Sequence, residues 1–272
     1  MDAEEVFLPG TVHLYDGART DTLDLDEIAR FVRYLLPKAD VLVLDDAISS
    51  SLDQLSGADK EQEVAELARA FAAARVHDLN SQQDADSVLY GEVEYEKRRL
   101  LDTTIKSLGI LYDGQKLTSI YAGSIGQDHL TVETAHVVFT NQLVGTWDDN
   151  DKRYHARVAV YGYPSIISTS GVVEAPARPR EFYLKRQMGV DPITLKEEFR
   201  GMFIDYDDPR LTEVMKGYAA QALFYHMTGE PFCQDNTCRL YNAHWQEDLI
   251  RAQLTGDDFC SEHAAFLSRL PT

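Results

Sequence analysis

The spacing of the cysteines constrains the fold of this chain more than any other feature. Its three cysteines all lie between residues 233 and 260 of 272, and a histidine follows at residue 263, which gives the pattern C-x4-C-x21-C-x2-H. An odd number of cysteines in a reducing compartment argues against disulfides, and their clustering favours a metal site. Two close pairs of soft ligands are enough for a closed, tetrahedral zinc site. The sequence therefore predicts one structural Zn²⁺, bound by Cys233, Cys238, Cys260 and His263.

Two alternatives to this ligand set stay open at the level of sequence. His244 is a rival fourth ligand, although it is predicted to lie on a helix between the two pairs. His263 is favoured because its x2 spacing from Cys260 makes a natural chelating turn. The second alternative is three inert buried thiols and a surface histidine that bind no metal, since unpaired cysteine often behaves as a small hydrophobic residue.

A long helix is predicted directly before the cysteines, over residues 207–229. Pro209 falls near its first turn and Gly229 at its end, which are the places where helices commonly carry these residues. His226 lies three residues before Gly229. A lone histidine on a helix is more often a hydrogen-bonded core residue than a metal ligand, and we expect this of His226.

Residues 222–263 resemble the archaemetzincins, zinc metallopeptidases with the pattern HExxHxxGxxHC-x4-C-x-M-x17-C-x-x-C. His226 occupies the position of the second histidine of that motif, and Gly229 occupies the position of its glycine. In the family the first two histidines share one face of the helix, the glutamate between them polarises the bound water, and the third histidine completes the ligands. Here the first histidine, the glutamate and the third histidine are replaced by Ala222, Leu223 and Phe232.

The cysteine part of the archaemetzincin pattern is kept more closely. Cys233 and Cys238 match its first pair in spacing, Leu240 replaces the methionine, Cys260 falls two residues late, and His263 replaces the fourth cysteine. The resemblance therefore implies that the Cys3His set corresponds to the second zinc site of that family. It is weaker over residues 156–174, and the first 150 residues show only a compatible alternation of strands and helices.

This resemblance implies a metallopeptidase fold that is catalytically inactive, a pseudo-peptidase with one structural zinc and a cleft that could bind a peptide or protein. The alternative is an active zinc-dependent hydrolase with a rearranged metal centre that includes His226. The sequence contains no P-loop, no nucleophile elbow and no C-x-x-C redox pair. Residues that folding could bring together with His226 in such a rearranged centre are His136, His155, Tyr225 and Glu230.

The order of predicted elements indicates an α/β fold with crossover connections. The resemblance implies that this fold is of the zincin type, with a mixed sheet, flanking helices and a zinc-stapled C-terminal segment. Strands are predicted over residues 11–17, 40–48 and 108–114, and helices over 22–37 and 60–76. Residues 155–175 are predicted as two β-runs split around Tyr163-Pro164, after an acidic turn at 147–152. Short helices are predicted over 242–256 and 261–270. Because no flexible linker divides the chain, we expect one domain over 1–272, with an α/β part over 1–150 and a helix-turn and zinc-binding part over 151–272.

The net charge of −19 bears on partners rather than on chemistry. It argues against nucleic acid, which needs a basic face, and with only nine lysines it suggests adaptation to a high-salt, archaeal-type cytoplasm. No apolar run approaches the ~18 residues of a membrane span, and residues 1–10 lack the features of an export signal, so a cytoplasmic location is expected. Residues 181–188 form the single basic and aromatic patch, a candidate surface for a protein partner.

Overall fold

The computed structural model describes residues 6–82, 88–107, 109–256 and 258–271. The prediction about an export signal falls partly on residues 1–5, and the predicted strand over 108–114 starts at Leu108; both places lie outside the described residues. The strands are β1 Thr11–Gly17, β2 Asp40–Asp45, β3 Leu111–Asp113, β4 Thr134–Thr140, β5 Leu143–Asp148, β6 Arg153–Arg157, β7 Ala159–Val160 and β8 Ser165–Ser168.

The helices surround these strands. They are α1 Leu25–Leu35, α2 Ala47–Asp53, α3 Gly57–Ala73, α4 Tyr90–Leu101, α5 Gly114–Ile125, α6 Thr169–Glu174, α7 Arg180–Gln187, α8 Pro192–Glu198, α9 Leu211–Thr228, α10 Gln246–Ile250 and α11 Ser261–Ser268, with a 3₁₀ turn over Gln127–His129 and a π-helical turn over Arg251–Thr255. In the described part of the chain, no helix is long and apolar enough to cross a membrane.

Two sheets confirm the predicted mixed α/β class. The larger has the order β2-β1-β4-β8-β7, in which the first four strands are parallel and β7 is an antiparallel edge strand. The smaller has the order β3-β5-β6, and β5 and β6 form an antiparallel hairpin. The predicted acidic turn connects these two strands, since Asp148 accepts hydrogen bonds from the backbone N–H groups of Asn150 and Asp151.

The core lies on both faces of the larger sheet, as expected for a mostly parallel sheet covered by helices. Along β1, Leu14 belongs to the cluster shared with α1, α9 and the C-terminal segment, whereas Tyr15 belongs to the cluster shared with α2, α3 and α5. The strand β4 alternates in the same way, with Val137 in the first cluster and Val138 in the second. The helix α9 is therefore held against the sheet by the alternate residues of its strands.

The prediction of a β-run through residue 175 was wrong for its second half. The strand β8 stops at Ser168, and α6 follows at once. The hydroxyl of Ser168 accepts a hydrogen bond from the backbone N–H of Gly171, which is the interaction that starts a helix at its N-cap. Valines 172 and 173, which suggested a strand, are buried by the helix instead.

The predicted long helix is confirmed as α9, which begins two residues after Pro209. It ends at Gly229, whose φ of 76° is left-handed and whose N–H bonds to the Tyr225 carbonyl. Glycine adopts this conformation without the steric cost that a side chain brings. The turn at Gly229 sends the chain back along α9, so Cys233 and Cys238 come to lie beside it.

Candidate metal centre and cleft

Four ligand-type side chains meet where the C-terminal segment folds back. The ligand atoms of Cys233, Cys238, Cys260 and His263 all lie within 4.8 Å of one another. The Sγ atoms of Cys233 and Cys260 are 3.8 Å apart, and Nδ1 of His263 is 3.1 Å from Cys260 Sγ and 3.9 Å from Cys238 Sγ. Zinc bonds of ~2.0–2.3 Å in a tetrahedron place ligand atoms about 3.5–3.8 Å apart. The donor set and its spacing therefore fit one zinc ion.

Local structure brings each pair together. Cys260 directly precedes α11 and His263 lies in its first turn, three residues later and on the same face. Cys233 donates its N–H to the Leu240 carbonyl, which closes the loop that carries Cys238. Within that loop, Asp235 accepts hydrogen bonds from the N–H and the hydroxyl of Thr237.

The surroundings of the cluster suit thiolate and neutral imidazole ligands. Backbone N–H groups reach the sulfurs, from Asp235 to Cys233 at 3.3 Å and from Leu240 and Cys260 to Cys238. Burial raises the pKa of Cys238 to about 12 and lowers the pKa of His263. Without metal the Cys238 thiol is therefore protonated, and a zinc ion would displace that proton as it binds. The His263 ring is neutral near pH 7.

His244, the rival ligand, does not belong to this cluster. The prediction that His244 lies on a helix was wrong. The residue lies two positions before α10, is exposed and lines a cavity. Its backbone carbonyl accepts a hydrogen bond from Ala177, which holds the segment in an extended form. The structure therefore brings His263, and not His244, to the three cysteines.

A second group of ligand-type side chains lies on the β5–β6 hairpin. Asp148, Asp151 and His155 lie within 4.8 Å of one another, and His155 Nε2 is 2.9 Å from an Asp151 oxygen. Asp151 is exposed, and Asp148 already accepts two backbone N–H groups of the turn. Backbone hydrogen bonds hold the pKa of Asp148 below its usual range. The group acts as the cap of an exposed turn.

Three residues of the degenerate motif are buried, and the fourth, Phe232, lines a cavity between β7 and α9 that we call the cleft. Ala222 and Leu223 belong to the core cluster beneath α9. His226 is buried, donates from Nε2 to the Val132 carbonyl at 2.8 Å, and packs against the Tyr163 ring. Burial lowers the pKa of His226, so the ring is neutral at pH 7. Phe232 is 40% exposed and lines the cleft.

Of the residues considered for a rearranged centre, His136 lies close enough to His226 for that ring to help lower its pKa, but each of them has other partners. His136 is buried, with Nδ1 2.9 Å from the Tyr15 hydroxyl and Nε2 3.0 Å from the His129 carbonyl. Tyr225 packs against the rings of Tyr161 and Tyr163, Glu230 is exposed, and His155 pairs with Asp151. Among the described residues, no group of three or more histidine, cysteine or acidic side chains includes His226.

A cavity of about 370 Å³ lies between the edge strand β7 and α9. From α9 it is lined by Tyr218 and Gln221, and not by Ala222 or Leu223. Gln221 fixes this wall, since its Oε1 accepts from the Tyr161 hydroxyl and its Nε2 donates to the carbonyls of Arg239 and Tyr241. Burial raises the pKa of Tyr161, which keeps its hydroxyl a donor.

Three residues of this wall were not predicted from the sequence: Tyr161, Tyr218 and Gln221. A signal for two of them was present, because Tyr218 and Gln221 are three residues apart on one face of a helix that is otherwise mostly apolar. The hydrogen bond between Tyr161 and Gln221 spans 60 residues of sequence and had no local signal.

The chain matches a known protein family. A family model described as a probable metallopeptidase family (DUF6775) matches residues 9–270. No curated protein and no solved structure matches the chain.

Proposed function

The chain belongs to this probable metallopeptidase family, and from that premise we propose that it is an archaemetzincin-like member which binds one structural zinc and does not hydrolyse peptides. One observation carries the proposal. The helix α9 buries Ala222 and Leu223 in the core and commits the Nε2–H of His226 to the Val132 carbonyl. A catalytic zinc ion has no ligands to hold it at these positions.

The chemistry of peptide hydrolysis supports this reading. A zinc peptidase needs protein ligands that leave one coordination position open, a metal-bound water and a carboxylate that takes its proton. The Cys3His group offers four protein ligands, a closed set typical of structural zinc. When bound, the zinc ion would cross-link the loop after α9 to α11, and the four side chains would hold it without an open position.

A sheet edge lines the cleft. The strand β7 is the last strand of its sheet, and Ala159 and Val160 both line the cavity. An unpaired strand edge can add an extended peptide through backbone hydrogen bonds. Tyr161 and Phe232, whose rings meet edge to face, would contact its side chains. We therefore propose an extended peptide segment as the ligand of this cleft.

An activity assay on zinc-loaded protein tests the proposal. A mixture of fluorogenic peptides should show no turnover that a chelator abolishes, at low or at molar salt. Turnover that disappears in His226→Ala while the Cys3His zinc stays bound would establish the alternative, an active hydrolase with a rearranged centre. Binding of the same peptides is measured separately with Gln221→Ala, which removes the cleft wall, and with exposed His129→Ala as the control outside the cavity.

A further inference from the structure

A second, smaller cavity lies at the carboxyl ends of β1 and β4, away from the cleft. Its volume is about 20 Å³. The neighbours of β1 in the sheet are β2 on one side and β4 on the other, so the order of the strands reverses here. The crevice at such a reversal is where open α/β sheets bind ligands. Gly17 at the end of β1 and Thr140 at the end of β4 both line the cavity.

Gln142 contributes a donor to this cavity. Its side chain is almost completely buried, and its Oε1 accepts from the Tyr121 hydroxyl at 3.1 Å and from Thr140 Oγ1 at 3.3 Å. These two donors fix the carboxamide with its oxygen turned towards them. The Nε2 atom is buried and has no hydrogen-bond partner among the described residues.

Arg99 contributes a second donor and a positive charge. The residue is 8% exposed, its Nε donates to Glu96 at 2.7 Å, and its guanidinium lies over the Phe71 ring at 4.7 Å. Its Nη2 is also buried without a hydrogen-bond partner in the described part of the chain. A buried donor left unpaired is costly, and the cost is larger when the donor is charged.

One carboxylate, Asp46, also lines the cavity and is already held by other groups. Its Oδ2 accepts from Arg19 Nη2 at 3.3 Å and from the Ser49 hydroxyl at 2.8 Å. Arg19 offsets the charge of Asp46 from the rim of the same cavity. Among the described lining residues, the side-chain atoms that are buried without a hydrogen-bond partner are Arg99 Nη2 and Gln142 Nε2, and both are donors.

We propose that this cavity binds a chloride ion between Arg99 Nη2 and Gln142 Nε2. A water molecule needs roughly 10–15 Å³ of such space, so the cavity admits one guest of about that size. A water would bring two hydrogens that need acceptors, whereas the two buried side-chain atoms of the described lining residues that lack a partner are both donors. A halide ion accepts hydrogen bonds without donating any, which matches two unpaired donors.

The first test compares anions at equal ionic strength. The protein is melted in sodium chloride and in sodium methanesulfonate, whose anion is too large for the cavity, above ~0.15 M salt so that the net charge of −19 is screened. A chloride concentration tenfold above Kd should raise Tm by about 2–3 °C, and the rise should saturate. Crystals soaked in bromide should show an anomalous peak between the two nitrogens.

Gln142→Glu is the variant that separates the outcomes. Its carboxylate would pair with Arg99 and take the place of the ion, so the difference between the two salts should disappear. Exposed Gln54→Glu, which makes the same change of charge, should keep that difference. Equal melting of the parent in both salts, or a bromide map without a peak at the cavity, would overturn the proposal and leave a water as the occupant. The bromide map needs no variant, so it decides the question even where Gln142→Glu does not fold.

Discussion

His226 donates its Nε2 hydrogen to the Val132 carbonyl and rests its ring on Tyr163. A neighbouring helical position, Gln221, uses its side chain to join the edge strand to the loop after α9. Both residues lie on α9, and neither belongs to the group of candidate zinc ligands. At the scale of single residues, the polar side chains of His226 and Gln221 on α9 are therefore both bonded within the fold.

The first prediction concerns His226→Ala. Removing one neutral hydrogen bond and one ring contact should lower the free energy of unfolding by about 1–2 kcal/mol. The zinc content should stay the same, because the cluster lies elsewhere. Urea unfolding and elemental analysis measure both quantities, with exposed His244→Ala as the control that should change neither. Loss of bound metal in His226→Ala would contradict the structural role.

The second prediction concerns the pH dependence of stability at His136. Burial lowers the pKa of His136 from 6.5 to about 4, and the nearby His13, His129 and His226 add to this effect. As the pH falls below 6.5, His136 binds a proton in the unfolded chain, whereas in the folded chain it binds this proton only near pH 4. The stabilising contribution is therefore complete above pH 6.5, and up to about 3 kcal/mol of it is lost as the pH falls to 4.

His136→Gln isolates this contribution, since glutamine can still donate to the His129 carbonyl and accept from Tyr15. The slope of unfolding free energy between pH 6.5 and 4 should be shallower in His136→Gln than in the parent and in His244→Gln. Protonation of the zinc ligands affects all three proteins equally, so the difference reports His136 alone. Superimposable pH curves would show that the unfolded and folded states bind this proton equally well.

Residues with local signals could be predicted from the sequence, and residues with distant partners could not. The spacing of Cys233, Cys238, Cys260 and His263 was sufficient to predict one group. Each pair is only a few residues apart, so its two ligands lie close together whatever the rest of the fold. Arg99 and Gln142 had no such signal. Their common cavity lies between α4 and the β4–β5 turn, which only the tertiary structure brings together.

At the scale of elements, α6 shows why the prediction around residue 170 was wrong. Gly171 approaches the β6–β7 connection so closely that a Cβ built on it would lie 2.3 Å from the Arg157 carbonyl oxygen. Valines at 172 and 173 favour a strand locally, but the Ser168 cap and this close packing select a helix. The element is set by tertiary contact, which overrides the propensity of its residues.

The third prediction follows from that packing. Gly171→Ala should lower the free energy of unfolding by about 2–4 kcal/mol, because the new methyl group meets backbone atoms that cannot move aside. Gly123→Ala in α5, where nothing lies within 4 Å of the new Cβ, should instead stabilise by about 0.5–1 kcal/mol. Chemical denaturation measures both changes. Destabilisation of equal size in the two variants would mean that close approach is not the cause.

The fourth prediction concerns the segment after α9. Cys238→Ser removes one ligand of a site whose binding energy, in small zinc modules, is on the order of 10 kcal/mol. The segment should then unravel and become sensitive to protease near Gly256, which is pressed against the Thr237 carbonyl in the folded chain. Limited proteolysis with mass spectrometry locates the cuts. As a control, Ser268→Ala on the exposed side of α11 should be cut at the same rate as the parent. If Cys238→Ser resists the protease as well as the parent does, the cysteines are not ligands.

At the scale of the whole molecule, one hydrophobic cluster joins the beginning and the end of the chain. It includes Val12 of β1, Met215 of α9, Cys238 and Phe266 of α11. Because Cys233 and Cys238 belong to this cluster and Cys260 packs against it, the metal would stabilise the packing of α9 against the sheet as well as its own loop. We therefore expect residues 1–272 to unfold as one domain when zinc is bound.

The last prediction concerns the number of zinc ions and the effect of removing them. Four soft ligands meet in one place and His226 stands apart from every such group in the described residues, so protein purified without added zinc should contain one tightly held ion per chain. Chelation should lower Tm by more than ~10 °C and broaden the transition, because the C-terminal part of the shared core loses its cross-link. Elemental analysis and calorimetry measure the two effects, and added zinc should reverse the second. Two equivalents of zinc would place a metal outside the cluster, and so would one equivalent that survives the combined change Cys233→Ser and Cys260→Ser. Either result would favour an active hydrolase with a rearranged centre over a catalytically inactive protein.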